Sequence, residues 1–418
     1  MRRTLHLLPL LALTISCLQV NAQCANGRYY NKIFSVKSTT NVLFGNAQKF
    51  DGTFQDLKMN VYEPQGDNFA RRPLIVLAFG GSFTAGLKES PDILKLCDEF
   101  ARRGYVAATI DYRLGFEDGN DSDTNQFKAL IRGVQDMRAA VRYFYKDAQT
   151  TNTYRVDTNQ IFIGGVSAGG VIALNYGYGK EDTLSRPRPD WADSALAEVG
   201  GGIGNSGNPG YSDRVKGVIN LCGAIADTVW VMPTDPVLCA VHGTNDGLVP
   251  CYYDSAAASN SVEAMLFGSG DLLTRATNIG LPHSIKLFQG AGHVPFVLYF
   301  FSPGKEYMDT TVWTIRDFLY QHVECDSSLI STVAETNNTY SSVSVFPNPT
   351  DEVLYVVSDH NNSLQAKLFS VDGKPVSKTT ILPHHVITIS KSETGTGVFI
   401  LCLFDNGMLV KTERIVFR

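Results

Sequence analysis

The chain has 418 residues, 44% of them hydrophobic and 18% charged, enough to bury a sizeable core in two or three domains. A net charge of −5 and the lack of any basic block interleaved with aromatics argue against a nucleic-acid partner. No segment is long and apolar enough for a lasting membrane span.

The chain opens on Met1-Arg2-Arg3, an apolar run from Leu7 to Val20 and small residues before Gln23. That order predicts a secretory signal over 1–22 with Gln23 as the mature start. A lipid anchor at Cys17 is disfavoured, because Thr14 stands where a larger aliphatic is preferred. Seven further cysteines follow; an odd number leaves at least one thiol unpaired within the chain. Cys97, Cys222 and Cys239 fall in apolar stretches and read as buried packing residues.

Residues 23–325 read as one domain. Lys32–Val36 and Leu57–Tyr62 alternate and predict half-exposed antiparallel edge strands. Pro73–Phe79 is continuously apolar, as in a strand covered on both faces. A helix from Asp92 to Arg103 leads to a strand over Tyr105–Ile110. Apolar positions at helical spacing follow over 126–148. The run Ile161–Val166 is the next strand, and later ones are expected at Val215–Ile225, Val237–Val241 and Ile285–Phe288. Such alternation predicts an α/β class fold with a doubly wound, mostly parallel sheet, whose ligands sit beyond the carboxyl ends of the strands.

Between 176 and 213 an insertion carries Pro187, Pro189, Trp191 and the glycine run Gly200–Gly207. Without a Gly-Lys-Ser/Thr ending it reads as a lid or cap rather than a phosphate cradle. Residues 326–342 turn to Ser, Thr and Asn and read as a linker. From 343 to 418 only short strands and Gly-containing turns remain, predicting a small all-β sandwich without a plausible catalytic cluster.

The chemistry-bearing stretch is Gly165-Val166-Ser167-Ala168-Gly169. A strand that ends in a Ser flanked by glycines and leads into a helix is the pattern of a nucleophile elbow. A serine needs a base in reach and a third group that orients the base. His293 in Gly290-Ala291-Gly292-His293 and Asp246 in His242-Gly243-Thr244-Asn245-Asp246 each follow a strand, in the chain order Ser, acid, His. The rivals fit less well. His283 precedes its strand, His322 lies late in a helix, and His242 reads as packed or locally bonded. Asp227 and Asp235 are weaker candidates for the acid. Oxyanion donors are expected from the backbone of Gly81, Ser82 and Ala168. Phe83, Tyr112, Trp230 and Phe296 are candidates for the substrate pocket. No cysteine–histidine spacing suggests a metal, and no cofactor is expected.

Residues of about 50 to 322 resemble an α/β-hydrolase of the carboxylesterase type, near the hormone-sensitive-lipase and feruloyl-esterase-like branches. The resemblance rests on Val61-Tyr62-Glu63-Pro64, Gly80-Gly81-Ser82-Phe83, Asp111-Tyr112-Arg113-Leu114, Gly165 to Gly170, His242 to Asp246 and Gly292-His293. It implies catalytic roles for Ser167, Asp246 and His293, while Asp111 and Arg113 read as structural ion-pairing groups. Phe79 and Ser82 depart from the usual His and third Gly of the oxyanion loop. The tail resembles the C-terminal sorting domain of type IX secretion cargo, through Phe346-Pro347-Asn348-Pro349, Leu368 to Lys374 and Gly397 through Lys411. This implies passage across the outer membrane with the type IX machinery as partner, and a secreted or cell-surface location. The expected activity is a secreted serine esterase acting on small or polymer-linked esters. The alternatives are a prolyl-oligopeptidase-like serine peptidase and a non-catalytic hydrolase-fold adhesin.

Overall fold

The structure is a computed structural model that describes residues 27–117, 122–184, 191–256, 265–324, 343–358, 362–370, 373–405 and 408–418. The expected signal segment, the whole of the expected linker, Cys24, Cys325 and part of the insertion lie outside these residues. The chain divides into two compact units, Met1–Cys325 and Asp326–Arg418.

The first unit runs β1 (Ser35–Gln48), β2 (Phe54–Gln65), β3 (Arg72–Ala78), α1 (Pro91–Ala101), β4 (Val106–Ile110), α2 (Asp123–Gln149), β5 (Val156–Val166), α3 (Ala168–Tyr178) and α4 (Trp191–Glu198). It continues with β6 (Gly217–Leu221), β7 (Val237–Gly243), the two-residue strands β8 (Asp254–Ser255) and β9 (Met265–Leu266), α5 (Ser269–Ile279), β10 (His283–Phe288) and α6 (Gly304–His322). The main sheet has the order β1-β2-β4-β3-β5-β6-β7-β10. β1, β2 and β4 pair antiparallel, and from β4 onward every pairing is parallel. The expected doubly wound, mostly parallel sheet is therefore present. The first edge strand starts at Ser35 rather than Lys32, because the preceding turn bonds elsewhere: Tyr29 N–H donates to Arg103 O at 2.8 Å.

Sheet order fixes where a site can form. The β3-to-β4 crossover runs one way along the sheet, and the β4-to-β5 crossover returns past β3. Right-handed crossovers in opposite directions place their helices on opposite faces. Accordingly α1 packs beside α6, and α2 beside α3. β3 and β5 are neighbours at the point where the winding reverses, which opens a crevice at their carboxyl ends. The strands lining it are wholly buried: all of β3 and β4, and Gln160 through Val166 of β5.

The ends of this unit are fastened at the opposite, amino edge. Arg28 pairs with Asp67 at 2.8 Å and reaches Gly104 O, just before β4. Glu324 exchanges two backbone bonds with the Gln160 side chain, at 2.6 and 3.1 Å, and pairs with Lys216 at 2.7 Å.

The described part of the insertion lies along α2. Trp191 meets Phe127 edge-on, and Gln135 donates to Val199 O and Gly201 O at 2.7 and 2.6 Å. Glu181 accepts from Gly202 N–H at 3.0 Å, and Asn208 donates to Phe44 O at 2.8 Å. The glycine run is thus tied down by side chains along its length.

The second unit holds β11 (Val343–Phe346), β12 (Val353–Ser358), β13 (Leu364–Ser370), β14 (Pro375–Ile381), β15 (Val386–Ser390), α7 (Lys391–Thr394), β16 (Gly397–Asp405) and β17 (Met408–Phe417). Its strands form an antiparallel three-stranded sheet and an antiparallel four-stranded sheet around Leu354, Val356, Leu364, Leu368, Leu401 and Ile415. The expected small all-β tail is present.

Candidate active site

Ser167 stands at the end of β5 with φ 53° and ψ −118°, a left-handed backbone that an L-residue adopts only under constraint. The constraint comes from its neighbours. A Cβ on Gly165 would strike Gly169 and the carbonyl of Ala78, and one on Gly169 would strike Ala78 again. The turn closes only with glycine at both places. The Ser167 N–H donates to Leu221 O at 2.8 Å, clamping the turn to the end of β6.

Two loops bring partners to this serine. β7 and β10 lie side by side with Gly243 opposite Phe288. Their continuations are stitched together by Thr244 N to Phe288 O at 3.0 Å, Asn245 N to Ala291 O at 2.9 Å and Gly290 N to Thr244 Oγ1 at 2.8 Å. The outcome is a continuous chain of hydrogen bonds. His293 Nε2 lies 2.9 Å from Ser167 Oγ, and His293 Nδ1 lies 2.7 Å from Asp246 Oδ2. The Asp246 side chain is fully buried. Its Oδ1 accepts the N–H groups of Leu248 and Val249 at 2.9 and 3.0 Å. Burial alone would push this carboxyl up; the bonds from His242, His293 and the Leu248 backbone outweigh it and hold it well below the usual carboxylate range.

The loop after β3 borders the same serine. The Gly80 Cα–H faces Ser167 Cβ, and Gly81, Ser82 and Phe83 have φ of 135°, 50° and 61°. Gly81 O accepts from Thr84 and Ala85 N–H, both at 3.0 Å, which curls the loop. Among the described residues, the Gly81 and Ser82 N–H groups have no carbonyl partner. Ala168 opens α3, where the first N–H groups are unpaired within the helix and carry its positive dipole end. A carbonyl oxygen held near Ser167 would meet donors of this kind.

The four aromatic candidates divide. Phe83 and Trp230 are 8% and 5% exposed, whereas Tyr112 and Phe296 offer 1% and 0%. Tyr112 stacks on Phe79 with centroids 4.4 Å apart and donates its hydroxyl to Phe79 O at 3.1 Å. In this conformation Tyr112 supports the loop from behind and, like Phe296, presents no surface to a ligand. The ring of Phe79, at the position that departs from the family pattern, is thus held by an aromatic stack.

The rivals fall away from the serine. Asp227 caps the turn at Val229, and Asp235 accepts from Met232 N–H at 2.8 Å. His283 bonds Leu281 O at 2.8 Å, and His322 sits against Phe318. Arg113 is committed to Asp136, Gln135, Ser206 and two backbone carbonyls, and Asp111 faces Lys88 at 3.4 Å. His242 is locally bonded, as its place in the sequence suggests: its Nε2 lies 3.2 Å from Asp246 Oδ2, four residues on, and 3.1 Å from Val249 O. Cys97, Cys222, Cys239 and Cys251 are buried and unpaired; burial pushes the Cys222 thiol up to about 12. Among the described residues no cluster of three His, Cys, Asp or Glu could hold a metal, and no helix is long and apolar enough to cross a membrane.

Two family models match the chain. Residues 59–198 match BD-FAE, and residues 344–418 match the secretion system C-terminal sorting domain. No curated protein matches this chain. Among solved structures, the propionate-bound esterase Est2 of the planctomycete Thermogutta terrifontis is 21% identical over 70% of this chain and 96% of its own, with a TM-score of 0.47. The same esterase phosphorylated by paraoxon gives 21% identity, 69% and 95% coverage and a TM-score of 0.47. A truncated carbohydrate esterase from gut microbiota gives 18%, 69%, 98% and 0.47.

Proposed function

From a chain that joins an esterase-type BD-FAE region to a C-terminal sorting domain for export across the outer membrane, we propose a serine carboxylic-ester hydrolase working through an acyl-enzyme. The observation that carries this reading is the unbroken Ser167–His293–Asp246 hydrogen-bond chain at the switch point of the sheet. Ser167 Oγ attacks the ester carbonyl while His293 Nε2 takes its proton. Asp246 keeps the Nδ1–H tautomer of His293 and stabilises the imidazolium. The oxyanion is received by the N–H groups of Ala168, Gly81 and Ser82. His293 then returns the proton to the departing alcohol, and a water activated by the same imidazole releases the acid. Phe83 and Trp230 are the aromatic candidates with surface to offer an acyl or alcohol group.

In this reading residues 1–22 are the signal, 23–325 the catalytic domain, 326–342 a linker and 343–418 the sorting domain. The segment 176–213 is a cap that leans on α2. The test is labelling of the full chain with a fluorophosphonate probe, together with turnover of p-nitrophenyl esters, methyl ferulate and dipeptide amides. Labelling and ester turnover, both lost in Ser167→Ala, are expected. Folded protein that neither labels nor turns over esters would sink the proposal, and amide turnover above ester turnover would replace it with a peptidase.

A further inference from the structure

The carboxylate of Asp246 accepts three hydrogen bonds, from Leu248, Val249 and His293, and a second histidine stands against it. His242 Nε2 lies 3.2 Å from Asp246 Oδ2 and 3.1 Å from Val249 O. Both neighbours are oxygens without protons, so Nε2 must carry the hydrogen. On the other side of the ring, Nδ1 lies 2.9 Å from Ser269 Oγ. Ser269 Oγ accepts from Asn220 Nδ2 at 3.1 Å, which leaves its own proton for Nδ1. The Asn220 side chain is fixed in turn by Gly223, whose N–H donates to Oδ1 at 2.9 Å and whose carbonyl accepts from Nδ2 at 3.0 Å.

These three side chains have 0% exposure, so each needs its partners to offset the cost of burial. Apolar side chains of similar size would fill the same space without that requirement. The relay also ends where it matters: Asn220 precedes Leu221, whose carbonyl clamps Ser167. We propose that Asn220, Ser269 and His242 form a buried hydrogen-bond relay that positions Asp246 and tempers the basicity of His293. None of them touches substrate, and the role rests on the reading of Ser167, His293 and Asp246 given above. The N–H of His242, bonded to Val249 O, also faces Oδ2 at 3.2 Å and draws electron density from it, the oxygen that His293 uses. Without it the carboxylate holds the His293 proton more tightly, and the imidazole charges at higher pH.

The test uses the full chain with isotope-labelled histidine, in wild type, His242→Leu, His242→Gln and Ser269→Ala. The amide nitrogen of Gln reaches about as far as Nε2 and keeps an N–H for Asp246. His293 titration followed by NMR is expected to move up by about half a pH unit or more in His242→Leu and Ser269→Ala, and to return toward wild type in His242→Gln. The acid limb of kcat/KM should follow, with kcat down about tenfold in His242→Leu and KM within about twofold. An unmoved His293 midpoint in folded His242→Leu overturns the relay, and so does His242→Gln being as impaired as His242→Leu. If His242→Leu does not fold, Ser269→Ala must move the midpoint while His242→Gln does not. The NMR readout needs no turnover, so a chain without esterase activity would refute the function and still report on the relay.

Discussion

At Asp246 a single carboxylate joins two loops, accepting Leu248 and Val249 N–H on one oxygen and His293 on the other, with His242 Nε2 3.2 Å from that second oxygen. Its depressed pKa means that its stabilising contribution is in place above the ordinary carboxylate range and is lost only as pH falls through the lower folded value. The loop around Asp246 is therefore expected to hold through mild acid, which near-UV circular dichroism across pH checks; loss of that signal at mildly acid pH would contradict it. Asp246→Asn should keep the fold and cost about 10⁴ in kcat, because an amide N–H facing Nδ1 favours the wrong tautomer. Single-turnover rates at neutral pH measure that loss. The side chains that meet at Ser167 were visible in the sequence because each follows an apolar strand. The links from His242 to Ser269 and from Ser269 to Asn220 were not, since they join a strand end, a helix start and a second strand end, with no fixed spacing. The burial of Tyr112 was equally hidden, because a tyrosine beside a strand end reads alike whether it faces a pocket or a neighbouring loop.

Among the elements, the turn from β5 to α3 carries the tightest sterics. Gly169→Ala must push its methyl group into the Ala78 carbonyl. A loss of about 3 kcal/mol or failure to fold is expected, read from thermal melts. α1 offers a pH test of its own. Glu99 gathers Lys32 at 2.6 Å, Lys95 at 2.7 Å and Arg103 at 2.6 Å. Burial opposes its charge, but these bonds lower its pKa from 4.5 to about 2. Its contribution is present above about 4.5 and fades as pH drops toward 2. The stability gap between wild type and Glu99→Gln in urea should accordingly narrow between pH 5 and about pH 2.5. A gap independent of pH would contradict the ion-pair account. Element type was legible wherever apolar periodicity was strong, as in α2, expected over 126–148 and found over Asp123–Gln149. The three extra residues at its start follow from Ser122, whose hydroxyl accepts Asn125 N–H at 3.3 Å as an N-cap. The glycine run was less legible. Its composition says loop, but its fastening depends on Gln135, Glu181 and Asn208, all remote in sequence.

For the whole molecule, each unit has its own apolar core, and the family model for the sorting domain falls entirely within the second. Removal of 343–418 is expected to leave ester turnover per mole intact while abolishing export. Activity assays on the purified truncation and fractionation of producing cells measure the two effects. Loss of turnover in soluble, folded truncation would tie the tail to the chemistry.

Glu324, held by Gln160 and Lys216, is the last described residue before the tail, and it lies at the amino edge of the sheet. Ser167 opens at the carboxyl edge, one strand length away along β5. Tension on the chain beyond Glu324 would reach the Glu324–Gln160 clasp first, at the far end of the strand that leads to Ser167.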